Sequence, residues 1–278
     1  MMSAQQPASS PTSSSTASGA LQGAPAAWPV LGVLGGMGPL AGATFAARLV
    51  QLTPVTADQA HIPVLLRNDP RIPDRSTARL ADGPSPLPAM VEGMQDLQRW
   101  GAQCIAIPCN TAHLWYEQLR DSVQVPVLHI VESVIQDLRR NGITEGRVGV
   151  MGTPATMQLG LYQEALRAAG YEPVTGTGNV IRDLSVQAIA AVKSNQNAMG
   201  FAPAAEAVNR LQEMGAKAVI LGCTELPLAI PPGRRDEFSV AISDSIDALA
   251  LAVLDTFSKD NTRIMQSEPQ QQQIKAGT

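Results

Sequence analysis

The sequence predicts an α/β protein of two similar doubly wound halves, with its functional site in the cleft between them. Three observations predict it. Short apolar runs alternate with amphipathic helical segments, the pattern of parallel strands covered on both faces. The strand-and-glycine opening recurs, Gly32 being matched by Gly149 at a spacing of 117 residues. A strand-end cysteine also recurs, Cys109 being matched by Cys223 at 114. Two halves of βαβαβ outline are the economical reading.

Trp28-Pro-Val-Leu-Gly-Val-Leu-Gly-Gly-Met-Gly-Pro39 reads as a short strand running into a glycine-rich turn. Leu40, Ala43, Ala47 and Val50 then recur on one helical face. Asn68-Asp-Pro-Arg-Ile-Pro-Asp-Arg-Ser-Thr77 is a proline-punctuated loop. Leu87, Met90, Met94 and Leu97 mark a helix before the buried strand that ends at Cys109. A helix is expected over 111–119 and a further strand over 125–130. A break between the halves is expected near 127–145, where Asn141-Gly142 favours a turn. Arg147-Val-Gly-Val-Met-Gly-Thr-Pro-Ala-Thr156 repeats the opening, followed by Met157, Leu161 and Leu166. Ala204, Val208, Leu211 and Met214 mark the helix before the strand ending at Cys223, and a helix is expected over 224–228. A strand over 238–242 leads to a last helix, about 244–258, expected to return to the first half. The first unit is therefore placed at 29–128 plus 242–260 and the second at 129–241.

Composition narrows the function. The 278 residues are 45% apolar, and no apolar run reaches the length of a membrane span. A net charge of −4 has the wrong sign for a nucleic-acid or anionic-membrane surface. Residues 1–28 are Ser-, Ala-, Pro- and Gln-rich, and the first charged side chain is Arg48. They lack the basic and apolar regions of a secretory signal, so a disordered tail and a cytoplasmic protein are expected. A second disordered tail is expected at 261–278.

Three cysteines cannot build a disulfide framework. Cys104 falls inside a strand and reads as structural. Cys109 and Cys223 fall at carboxyl ends of strands, where open α/β sheets bind ligands, and polar residues follow each. A thiol of pKa about 8.5 is only slightly ionised at neutral pH. A helix N-terminus contributes about 0.3–1 kcal/mol, up to about 2, to a well-placed negative charge. That would bring the thiolate to about a quarter of the population. One sulfur on each face of a ligand can remove a proton while the other delivers one, which inverts a stereocentre.

Gly35-Gly-Met-Gly-Pro39, Ile72-Pro-Asp-Arg-Ser76, Pro108-Cys-Asn-Thr-Ala-His113 and Gly222-Cys-Thr-Glu-Leu-Pro227 resemble the motifs of the cofactor-independent aspartate/glutamate racemase family, in its aspartate racemase branch. The resemblance runs over about 30–258. It implies two α/β domains related by pseudo-two-fold symmetry, no pyridoxal phosphate, no metal, a dicarboxylic amino acid as substrate, and a homodimer. It implies Cys109 and Cys223 as the two acid/base residues. Asn110, Thr111 and Thr224 would hold the α-carboxylate, and Arg75 and Lys193 the side-chain carboxylate. Met37, Thr153 and Glu225, in the same motif loops, complete the expected substrate-facing set. Glycines 35, 36 and 38 would let backbone approach a ligand. A dinucleotide site fits poorly, because the third helix glycine is missing and Pro39 removes an N–H.

Rival readings remain on the same residues. Glutamate or broad-specificity racemisation, maleate isomerisation and hydantoin racemisation would use the same scaffold, and Arg75 speaks against hydantoins. A one-cysteine decarboxylase would not need both thiols. A sensor for acidic amino acids would need the pocket without the thiols. A redox pair is disfavoured by the spacing. His113, one turn past Cys109, reads as packing or as a neighbour of the thiolate. His61 and His129 read as core or rim, and no cluster has metal-ligand spacing.

Overall fold

The computed structural model describes residues 28–176 and 178–258. The tails expected to be disordered lie outside these residues, apart from Trp28. Its indole N–H donates to the Ala60 carbonyl at 2.6 Å and its ring packs on the core. Trp28, which the sequence reading placed in the tail, is thus packed on the core.

The first half holds β1 (Leu31–Gly35), α1 (Pro39–Leu52), β2 (Val64–Asn68), α2 (Arg75–Leu80), α3 (Leu87–Arg99) and β3 (Cys104–Ala106). A 3-10 turn at Thr111–Trp115, α4 (Tyr116–Asp121) and α5 (Ile130–Arg140) follow. The second half holds β4 (Gly146–Gly152), α6 (Pro154–Gln158), α7 (Leu161–Ala168), β5 (Tyr171–Val174), α8 (Val180–Lys193) and α9 (Asn197–Glu213). It closes with β6 (Ala218–Gly222), α10 (Leu226–Ala229) and β7 (Ala241–Asp244). The last helix, α11, covers 245–258.

The sheets run β2-β1-β3 and β5-β4-β6-β7, and every pairing is parallel. The repeat read from the sequence is thus a repeat of strand order, with β1 and β4 each flanked by the next two strands. Three expectations are revised. The strand over 125–130 reduces to one bridge, Ile105 to Val127, because His129 caps α5 by accepting from the Val131 N–H. The break near 127–145 is mostly α5, and the loop after it is 141–145, opening on the Asn141-Gly142 turn with Gly142 at φ +77. Residues 242–244 belong to the second sheet, since Ile242 to Asp244 pair with Val219 to Leu221. The return to the first half begins at 245. There Arg48 of α1 holds Asp247 at 2.6 Å.

Strand alternation sorts the core. Val33, Cys104 and Ala106 face the same cluster as Val148, Val150, Ala218 and Ile220 of the second sheet, and α1, α5, α7 and α11 fill the space between. Leu34, Ile105 and Ile107 turn the other way, toward α3. Met151, Val219 and Leu221 turn toward α8 and α9. Strands buried on both faces keep both sheets rigid, so loops at their carboxyl ends are held in register.

Candidate active site

The carboxyl ends of both sheets meet at one enclosed space. Met37 comes from the turn after β1, and Arg75 from the start of α2. Cys109, Asn110 and Thr111 follow β3. Thr153 follows β4, Lys193 ends α8, and Cys223, Thr224 and Glu225 follow β6. All ten border this space, together with Asp74 and Ser76, which sequence reasoning did not single out. Its volume is only about 20 Å3, room for about one water. A second cavity of about 460 Å3 adjoins it and shares Asp74, Arg75, Lys193 and Glu225 as its border.

Both cysteines are thiols outside any disulfide, and each is 4% exposed. The helix expected behind Cys109 opens as a five-residue 3-10 turn before α4 begins, and that behind Cys223 is the four-residue α10. Each sulfur instead faces one backbone N–H, from Ala112 and Glu225 respectively. The expected helix-end depression of the thiol pKa is overturned. Burial pushes Cys109 up, with Arg75 pulling the other way. Burial pushes Cys223 higher still, and the nearby Glu225 carboxylate adds to it. The Cys223 thiol donates to Glu225 Oε2 at 2.9 Å.

Asn110 is held by α7 of the far half and by the start of α11. Its Oδ1 accepts from the Tyr162 hydroxyl at 2.5 Å, and its Nδ2 donates to Ser245 Oγ at 3.0 Å. One amide hydrogen is left to face the enclosed space. Thr111 Oγ1 lies 2.9 Å from Thr153 Oγ1 and 3.1 Å from Thr156 Oγ1, a hydroxyl triangle across the cleft. Tyr162 was missed in the sequence because it falls on an apolar helix face. A buried tyrosine in such a run is the signal, since its hydroxyl needs a partner.

His113 is not a partner of the thiolate. Ile130 N–H donates to its Nε2 at 3.1 Å, so Nδ1 carries the proton and donates to the Cys109 carbonyl at 2.9 Å. Burial, with His129 adding to it, pushes its pKa down to about 3. It is a neutral clip between the Cys109 loop and α5.

Arg75 is 7% exposed, and its guanidinium donates to the carbonyls of Met37, Ile72 and Pro73 at 2.9–3.2 Å. Its Nε has no partner, and among the described residues no carboxylate lies within ion-pair distance of it or of Lys193. Gly36 makes the contact to the Arg75 loop possible. It sits at φ +95, and a Cβ there would lie 2.2 Å from the Asp69 carbonyl oxygen. Asp74 caps α2 by accepting from Thr77; burial raises its carboxyl, but the Thr77 hydrogen bonds with the Lys193 and Arg75 charges together hold it below the usual range. Among the described residues no group of three His, Cys, Asp or Glu side chains is placed to hold a metal ion, and no helix is long and apolar enough to cross a membrane.

Residues 34–253 match the family model for Asp/Glu/Hydantoin racemase. A broad specificity amino-acid racemase, RacX of Bacillus subtilis (strain 168), is 26% identical over 234 residues, covering 82% of this chain and 98% of that protein. A glutamate racemase of Corynebacterium kroppenstedtii is 32% identical over 159 residues, 55% of this chain and 53% of that protein. Among solved structures, Picrophilus torridus aspartate racemase superposes with a TM-score of 0.73 at 29% identity, over 83% of this chain and 94% of that one.

Proposed function

The chain belongs to the Asp/Glu/Hydantoin racemase family, and from that premise we propose that it interconverts L- and D-aspartate with two thiols and no pyridoxal phosphate. One observation carries the reading. Two buried cysteines from matching positions of the two halves border a single enclosed space, whose wall includes a buried arginine with no carboxylate partner. A buried cation is costly unless an anion completes it, and a dicarboxylic amino acid supplies that anion. Its side-chain carboxylate is assigned to Arg75 and Lys193. Its α-carboxylate is assigned to the remaining Asn110 amide hydrogen, to Thr224 and to the backbone of the two cysteine loops. Met37, Thr111, Thr153 and Glu225 are assigned to the walls that orient it.

One sulfur removes the Cα proton as the other delivers one to the opposite face. The charge that develops on the α-carboxylate meets donors already in place, which supplies the largest stabilisation in reactions of this kind. Burial keeps both sulfurs as thiols in the ligand-free geometry. The substrate ammonium is the added positive charge that favours a thiolate. An amino acid exceeds the enclosed volume, so its walls must part to admit one from the larger cavity.

The test is incubation with L-aspartate in D2O without pyridoxal phosphate, following deuterium at Cα and D-aspartate by chiral chromatography. Cys109→Ala and Cys223→Ala should each abolish racemisation. Full activity in both variants, or neither product with the unmutated enzyme, refutes the reading. A second reading is a broader substrate range. Leu40, Ile72 and Val192 line the adjoining cavity and could take a longer apolar side chain. Racemisation of leucine or methionine at a rate matching aspartate would select it.

A further inference from the structure

The two thiols occupy matching positions, but their surroundings are not alike. Two residues after Cys109 stands Thr111, whose hydroxyl is turned to Thr153 and Thr156. Two residues after Cys223 stands Glu225, whose Oε2 accepts the thiol proton at 2.9 Å. The charged group acting most strongly on Cys109 is Arg75, with Glu225 next, while for Cys223 it is Glu225, through both its charge and its hydrogen bond, and Lys193 acts on both.

Glu225 is 4% exposed, yet it borders both the enclosed space and the cavity of about 460 Å3. Cys109 and Cys223 border only the enclosed space. The position of its carboxylate is also provided for by the turn after β1. A Cβ at Gly38 would lie 2.9 Å from Glu225 Oε1, so a glycine there leaves the carboxylate its room.

We propose that Glu225 is the proton relay of Cys223, carrying the thiol proton between the enclosed space and water in the outer cavity. The inference rests on the two-thiol reading above. In one turnover a proton passes from Cα to one sulfur, and the other sulfur gives its proton to the opposite face. The two sulfurs have then exchanged protonation states. Before the same enantiomer can react again, one sulfur must lose a proton and the other must gain one. On the Cys223 side, the S–H proton moves to the carboxylate, leaving S⁻ and a carboxylic acid. The acid then gives that proton to water in the outer cavity, and the reverse sequence reloads the thiol. No bond to carbon changes in these steps and no electron is transferred. Thr111 is already turned away to its own partners, so Cys109 must exchange by another path.

Single-thiol variants isolate each side. Cys109→Ala leaves Cys223 to remove and return the Cα proton on one face, so aspartate exchanges with D2O without racemising. Cys223→Ala does the same through Cys109. Loss of the Cα proton signal of each aspartate enantiomer is followed by NMR in both backgrounds, with and without Glu225→Gln. Glutamine retains an oxygen acceptor for the thiol but cannot carry the proton. Exchange through Cys223 should slow by at least about tenfold, within the range for positioned proton transfer. Exchange through Cys109, which also feels the Glu225 charge, should slow several-fold less than exchange through Cys223, and Glu225→Asp should recover part of the Cys223 rate. Equal slowing in both backgrounds, or none at Cys223, overturns the relay while leaving the two-thiol reading standing. Absence of exchange and of racemisation in the unmutated enzyme refutes the two-thiol reading, and the relay with it.

Discussion

Tyr162→Phe is the most direct test of how the second half positions the first. The ring is fully buried, and phenylalanine fills the same space. The variant therefore removes one hydrogen bond, the 2.5 Å contact to Asn110 Oδ1, with almost no loss of packing. It leaves the Asn110 carbonyl oxygen buried without that donor, a penalty of about 1–3 kcal/mol. For a domain of this size each kcal/mol lowers Tm by about 2–4 °C, so a drop of about 2–12 °C is expected. Melting followed by circular dichroism gives the number, and a cycle with Asn110→Ala gives the coupling. Residues in direct hydrogen-bond contact should couple by more than about 0.5 kcal/mol. The aspartate kcat should fall as well, because the amide hydrogen that faces the substrate is no longer held in place. A Tm within about 1 °C of the unmutated protein, with no coupling in the cycle, would refute the reasoning.

Three further outcomes are expected. Arg75→Met should raise KM for aspartate by about 10–150-fold, the equivalent of about 1.5–3 kcal/mol for a charged hydrogen bond, and unchanged initial-rate kinetics would remove Arg75 from the site. His113→Gln should cost stability at pH 7, and that cost should shrink on acidification. His113 is held near pKa 3 when folded and titrates near 6.5 when unfolded, so its contribution is present above 6.5 and falls by about 2 kcal/mol by pH 5; a gap in urea midpoint that does not vary with pH contradicts this. Gly36→Ala should lower stability by at least about 2 kcal/mol, since a Cβ would press on Asp69 backbone at a left-handed φ; a denaturation curve like that of the unmutated protein would show that the loop yields freely.

The repeat was legible because it is written twice. Glycine-ended strands and strand-end cysteines recur at nearly equal offsets, and only paired halves explain both. Arg75 could be placed through its motif, although the loop composition by itself suits a solvated arginine. Side-chain contacts across the cleft were not legible. Tyr162 and Asn110 lie 52 residues apart, and nothing local marks a hydroxyl that must meet an amide. The helix expected after Cys109 forms as a 3-10 turn running into α4, and the tight form of its first turn was not legible for a related reason. His113 turns back to the Cys109 carbonyl and Ile130, and the segment tightens into a 3-10 turn. Thiol burial was not legible either, because closure of the two halves over Cys109 and Cys223 is a long-range contact that no local pattern marks.

The core between the sheets bears on how the protein folds. Leu31 and Val33 pack in one cluster with Val148, Ile220, Ile246 and Phe257, so the inner face of each repeat is covered by material from the other. A fragment ending near Gly142 would keep only α1 and α5 on that face of β1 and β3, losing α7, α11 and the second sheet, and the remainder would carry α11 with nothing from α1 to pack on. Neither repeat is then an autonomous folding unit, for all their similarity. The protein should unfold in one calorimetric transition. Its halves, expressed separately, should associate or aggregate rather than stand alone.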